Sequence, residues 1–125
     1  MIKEAYCSFE VAKLLKEKEF DEECYTFYEY DSKEFYREER ISCCNSRSDD
    51  YAAPTQQMAM RWLRELHGIF IAINNDDLNF NWQCYDLINR DNTLDPKILS
   101  ESYAGYKTYE QAVEAAIKYC LENLI

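Results

Sequence analysis

Glycine is almost missing from this chain: Gly68 and Gly105 are the only two in 125 residues. A phosphate-cradling P-loop and a dinucleotide fingerprint each need several glycines at fixed spacing, so neither can be written on this sequence. Histidine is scarcer still. A Ser-His-Asp or Cys-His arrangement would have to use His67, the single histidine, and no local nucleophile motif accompanies it. Just before Gly68, at the predicted end of a helix, His67 is expected to bond the last carbonyls and complement the helix dipole. No apolar run approaches the roughly 18–20 residues that cross a bilayer. Met1-Ile2-Lys3-Glu4-Ala5-Tyr6 also lacks the apolar core of a secretory signal. The expected location is therefore cytoplasmic, away from membranes. Positive charge is in deficit as well, with 14 basic against 24 acidic residues and a formal charge of -10. That balance disfavours direct nucleic-acid binding; it suits a basic partner and also serves solubility.

Cysteine is present in number, at positions 7, 24, 43, 44, 84 and 120. Without an export signal these read as free thiols, and none forms Cys-x-x-Cys. Most lie in apolar or alternating segments where cysteine acts as a small hydrophobe. Carboxylate pairs at Glu22-Glu23, Glu38-Glu39, Asp49-Asp50 and Asp76-Asp77 read as solvated turns rather than acid–base pairs or metal ligands. No catalytic residue, metal ligand or cofactor is predicted.

Three segments share the pattern Ser/Thr, x, Glu/Gln, x, Ala: those starting at Ser8, Thr55 and Thr108. Each predicts a helix start, because a hydroxyl can accept from an orphan amide of the first turn. Thr108 with Gln111 also has capping-box spacing. The helices are expected over about 9–18, from Thr55 to His67, and from about 109 to the end. Between them the apolar period changes to two. Cys24 to Tyr30 and Glu34 to Arg37 predict one hairpin, turning at Asp31-Ser32-Lys33. Ile69, Ile71 and Ile73, then Phe80, Trp82 and Cys84, predict another, turning at Asn74-Asn75-Asp76-Asp77. Residues 37–53 and 89–107 read as loops. The expected fold is one α+β domain over 1–125, ordered helix-strand-strand-helix-strand-strand-helix. Three helices would pack on a small, largely antiparallel sheet of about four strands. The two helix-hairpin units are compatible with an old duplication, but their similarity is weak outside the cap pattern and common packing demands account for it more readily.

Tyr25, Phe27, Tyr28, Tyr30 and Tyr36, together with Phe35, put rings on both faces of the first hairpin. One face belongs to the core; the other is either a partner-binding surface or is covered by a loop such as 37–53. Stacking on nucleic-acid bases is disfavoured by nearby Glu22, Glu23, Glu29 and Asp31. A second reading takes Arg61, Arg64 and Lys107 as contacts for an anionic small molecule such as a nucleotide signal, against their plainer role as a solvated helix face and loop.

Ser8 to Lys18, Ala53 to Gln57 with Trp62 to Glu65, and Tyr109 to Ala112 running into Glu114 to Ile125 together resemble a group of small uncharacterised proteins encoded by gut Bacteroidales bacteria and their phages. The segment from Tyr25 to Asp50 carries none of that resemblance. It implies a phage or mobile-element accessory gene and brings no activity and no catalytic residue. The expected function is a non-enzymatic protein-interaction module, a modulator or inhibitor of a host protein such as a defence protein. The alternative is a small-molecule binder that sequesters a nucleotide signal. The expected partner is a protein, and a homo-oligomer is compatible with the sequence.

Overall fold

Ser8 opens the first helix as its spacing predicts: the hydroxyl accepts from the Val11 amide at 3.2 Å, and α1 runs Phe9–Glu17. Val11, Ala12 and Leu15 recur at helical spacing and are buried. The helix stops in a Schellman turn, in which Glu19 N–H donates to the Lys16 carbonyl and Phe20 N–H to the Leu15 carbonyl. Phe20 and Leu15 are both fully buried, supplying the apolar contact that accompanies such a turn. Glu19 itself sits at φ 68, a left-handed conformation in which its Cβ crowds the backbone. Glu19→Gly should therefore stabilise the protein by about 1 kcal/mol. The check is a higher urea midpoint with an unchanged slope.

The computed structural model describes residues 2–88, 97–103 and 105–125. The chain divides into two compact units, Met1–Gln56 and Gln57–Ile125. In the first, α1 accompanies three strands, β1 (Thr26–Tyr28), β2 (Phe35–Arg37) and β3 (Tyr51–Ala52), in the order β2-β1-β3. Both pairings are antiparallel: Phe27 faces Tyr36 on one side and Ala52 on the other, while Tyr28 faces Phe35 and Tyr51. The hairpin turn ends at Lys33, another left-handed residue (φ 59). A single 3₁₀ turn, Asn45–Arg47, sits between β2 and β3.

Asn45 is the knot of this unit. Buried, it donates from Nδ2 to the Phe20 carbonyl at 2.7 Å and accepts at Oδ1 from the Ala52 amide at 3.0 Å. It thereby ties the end of α1 to β3. Lys16 adds a second tie: its ammonium donates to the Ser48 and Asp50 carbonyls at 2.8 Å and lies over the Tyr51 ring.

In the second unit α2 (Gln56–His67) begins directly after Thr55 and stops at Gly68, whose φ of 65 is left-handed. A Cβ placed there would come within 2.3 Å of Ile88 Cγ1, so a side chain at this position would have to displace Ile88 as well as take up a conformation that favours glycine. Then come β4 (Ile69–Asp76), β5 (Asn79–Asp86) and β6 (Lys97–Glu101), an antiparallel sheet in that order. The strands of the β4–β5 hairpin run on through Asn74-Asn75-Asp76, and the turn is Asp77-Leu78. Asp77 takes the left-handed position there (φ 52). α3 (Tyr109–Asn123) is capped by Thr108, which accepts from the Gln111 amide at 3.1 Å. It packs on β4 and β5 through Ala112, Val113, Ala116, Ile117, Cys120 and Leu121, all fully buried.

The α+β class and the alternation of helices and hairpins are as the sequence predicts. The single sheet of about four strands is corrected to two sheets of three, since each hairpin has recruited one further strand. β3 lies inside the expected 37–53 loop and β6 inside the expected 89–107 loop; the part of the latter over 89–96 lies outside the described residues. The two sheets are also wired differently. The first strand is central in one and the second in the other, which an intact duplicated unit would not produce.

Candidate protein-interaction surface

The ladder of the first hairpin extends past β1 and β2 at both ends. Glu29 N–H donates to the Glu34 carbonyl and Glu38 N–H to the Tyr25 carbonyl, at 2.9 and 2.8 Å. Side chains alternate between faces along a strand and directly opposed residues share a face. Tyr28, Tyr30 and Phe35 therefore share one side with Arg37 and with Tyr51 of β3. Tyr25, Phe27 and Tyr36 share the other with Glu29, Glu34 and Glu38.

The first side is an aromatic cluster belonging to the fold. Phe9, at the start of α1, meets Tyr28 and Tyr51 edge-on, with centroids 5.7 and 5.2 Å away. Tyr6 lies 5.3 Å from Phe35, and Tyr30 stacks on Tyr51 at 6.5 Å. The Tyr28 hydroxyl donates to the Cys7 carbonyl at 2.7 Å. Cations sit over these rings, Lys33 above Phe9 and Arg37 above Tyr6, and Arg37 also donates to the Tyr6 hydroxyl at 2.7 Å. Tyr6 and α1 pack on this side, while Tyr30 and Phe35 remain about half exposed.

The opposite side presents rings to solvent. Tyr25 is 52% exposed and Tyr36 40%, and Tyr36 stacks on Phe27 with centroids 5.8 Å apart. Its hydroxyl donates to Glu34 Oε2 at 3.1 Å. That bond, with the negative charge of Glu29 and Glu34, holds the Tyr36 phenol above its ordinary range. Every residue of β2 is exposed. The five ring residues singled out in the sequence are thus divided: Tyr28 and Tyr30 lie on the α1 side, and Tyr25, Phe27 and Tyr36 form an aromatic strip fringed by carboxylates.

The cationic residues singled out lie elsewhere. Arg61 and Arg64 stand a turn apart on α2, both exposed, and Arg61 Nε is bonded to Glu65 Oε1 at 2.9 Å. Lys107 is exposed just ahead of the α3 cap. A cleft of about 330 Å³ is found instead in the first unit, lined by Lys16, Glu19, Phe20, Asp21, Asn45 and Ser46. Its polar groups are largely committed, since Lys16 and Asn45 bond as above and Asp21 accepts from the Ser46 amide at 2.8 Å. The Ser46 bonds hold the Asp21 carboxyl below its usual range.

None of the six cysteines is in a disulfide, and all are buried. Burial pushes the Cys24 thiol up to about 12 and also raises Cys43, which favours the protonated, unreactive form. Cys84 of β5 and Cys120 of α3 have sulfurs 3.4 Å apart; the bond between them and burial push Cys120 upward. Among the described residues no three His, Cys, Asp or Glu side chains come together to hold a metal ion, and no helix is long and apolar enough to cross a membrane.

His67 ends α2 with its ring edge-on to Trp62, centroids 4.7 Å apart. Burial lowers its pKa below 6.5, favouring neutral imidazole. The unfolded chain then binds the proton more readily than the folded one. Stability from this group is full above about pH 6.5 and falls as pH drops through the folded value. The urea midpoint of the parent should accordingly decline slightly more between pH 7 and 5 than that of His67→Gln.

No protein-family model matches the chain, and no curated protein or solved structure matches it. Function must therefore be argued from the chain's own geometry.

Proposed function

We propose that this protein is a non-enzymatic interaction module that binds and modulates a host protein through the exposed side of its first hairpin. The phage or mobile-element setting implied by its sequence resemblance supports a host target, such as a defence protein. The observation that carries the reading is that Tyr25 and Tyr36 stay 52% and 40% exposed on the side fringed by Glu29, Glu34 and Glu38, with half-buried Phe27 stacked against Tyr36. Tyrosine supplies apolar area and a hydrogen-bonding tip at little conformational cost, and it is enriched in protein interfaces.

The test is affinity capture from a lysate of gut Bacteroidales cells with the parent protein and with a Tyr25→Ser/Tyr36→Ser variant. Both side chains are about half exposed, so the variant should keep the parent's urea midpoint to within the scatter of surface substitutions. The expected result is one protein retained by the parent and lost by the variant. An identical set of captured proteins would overturn the reading.

A further inference from the structure

We infer that the free edge of β2 takes up an extended segment of the partner, added as a further strand with basic side chains at alternate positions. This rests on the reading of the hairpin as an interaction surface and names how and what it binds. The backbone supplies the first half of the argument. In an antiparallel ladder bonded pairs alternate with non-bonded ones. The bonds joining Glu29 to Glu34 and Glu38 to Tyr25 put Phe27 and Tyr36 in a bonded pair between them. Phe35 and Arg37 consequently turn their N–H and C=O groups away from β1. β2 is the outer strand of its sheet, so these groups point to the open side. Unpaired strand edges of this kind are the usual templates for strand addition.

The side chains supply the second half. A strand laid along β2 sets its residues about 4.5–5.5 Å from those directly opposite. On one side the incoming residues would meet Glu34, Tyr36 and Glu38; on the other, Phe35 and Arg37. Arginines at every second position would pair with the two carboxylates and stack on Tyr36, for which the planar guanidinium suits both contacts. Apolar residues between them would meet the Phe35 ring, itself 43% exposed. Charge also disfavours a second copy of this chain as the occupant. Two β2 strands pairing antiparallel about Tyr36 would set Glu34 of one against Glu38 of the other on both sides of the axis, between molecules that each carry -10. A basic segment meets none of that repulsion.

The experiment titrates the full-length, isotope-labelled protein with the capped peptide Arg-Val-Arg-Val-Arg-Val-Arg and follows amide hydrogen exchange. One control peptide carries Glu for every Arg. A second keeps the arginines but has alternate backbone nitrogens methylated, in each of the two registers. The expected result is at least tenfold slower exchange at the Phe35 and Arg37 amides with the arginine peptide and with the peptide methylated on its arginine nitrogens, which face away from β2, and none with the glutamate peptide or the one methylated on its valine nitrogens, which face β2. Affinity should fall several-fold in Glu34→Gln/Glu38→Gln and with added salt. Unchanged exchange at Phe35 and Arg37, or undiminished binding of the peptide methylated on its valine nitrogens, would overturn strand addition. If that happens while capture of the partner still depends on Tyr25 and Tyr36, strand addition fails and the interaction reading stands. If capture does not depend on those rings, the interaction reading itself fails.

Discussion

Ile117→Asp is expected to unfold the protein or to lower its stability by several kcal/mol. Ile117 is fully buried in α3, within the row that packs on β4 and β5. An aspartate there must either lose its charge or keep it without a partner, and both are costly in an apolar surround. The loss would be a large share of the roughly 5–15 kcal/mol that holds a domain together. α3 has no independent reserve, since an isolated helix of this length is marginal in water and owes its order to the face it buries. Glu122→Gln, on the exposed side of the same helix, should change stability by no more than about 0.5 kcal/mol. Urea midpoints for the two variants make the comparison. A parental midpoint for Ile117→Asp would mean that α3 is not part of the core.

Asn45→Ala should be nearly as damaging, by a different mechanism. The asparagine removes little apolar area from water; its worth is that it satisfies the Phe20 carbonyl and the Ala52 amide at once. Alanine removes the bond to each of these backbone groups, at about 1–3 kcal/mol apiece, so a total loss of about 2–6 kcal/mol is expected. Asn45→Asp separates the two bonds. The carboxylate can still accept from Ala52, but it presents oxygen to the Phe20 carbonyl. It should therefore be destabilised as well, and more at neutral pH than below pH 4, where a protonated oxygen can donate. Denaturant midpoints at the two pH values decide this.

Where local chemistry alone determines structure, the sequence was sufficient. Ser8 and Thr108 act as the helix caps their spacing predicts, Gly68 ends α2 in the left-handed conformation, and the alternation of Ile69 and Ile71 with Trp82 and Cys84 marks the buried side of the second hairpin. What escaped reading is set by tertiary pairing. β3 is only two residues long, too short to show a period, and is held by the Phe27 and Tyr28 backbones and by Asn45. β6 has exposed Ile98 and Leu99 side by side and a register shift against β5 between Cys84 and Tyr85, so no alternation survives. The β4–β5 turn falls two residues later than the run of polar residues suggests, because cross-strand pairing extends through exposed Asn74, Asn75 and Asp76.

The candidate surface was half legible. That rings lie on both sides of the first hairpin follows from period two. Which side packs against the rest of the first unit depends on Tyr6 and Phe9, far enough away in sequence that no local pattern connects them to Tyr28 or Phe35. The acidic fringe was visible as scattered glutamates, but its gathering onto the side of Tyr25 and Tyr36 needs the register of β1 against β2. Asn45, the residue on which the first unit most depends, gave no signal beyond a polar residue in an expected loop.

The claim that the exposed hairpin side is the contact surface is tested most directly by site-specific photo-cross-linking. A benzoylphenylalanine is placed in turn at Tyr25, at Tyr36 and, as a control, at Leu66, which is 64% exposed on α2. After irradiation in the lysate, adducts to one and the same protein are expected from positions 25 and 36 and none from position 66. Adducts from position 66 with none from 25 or 36, or no adduct from any of the three, would contradict the account.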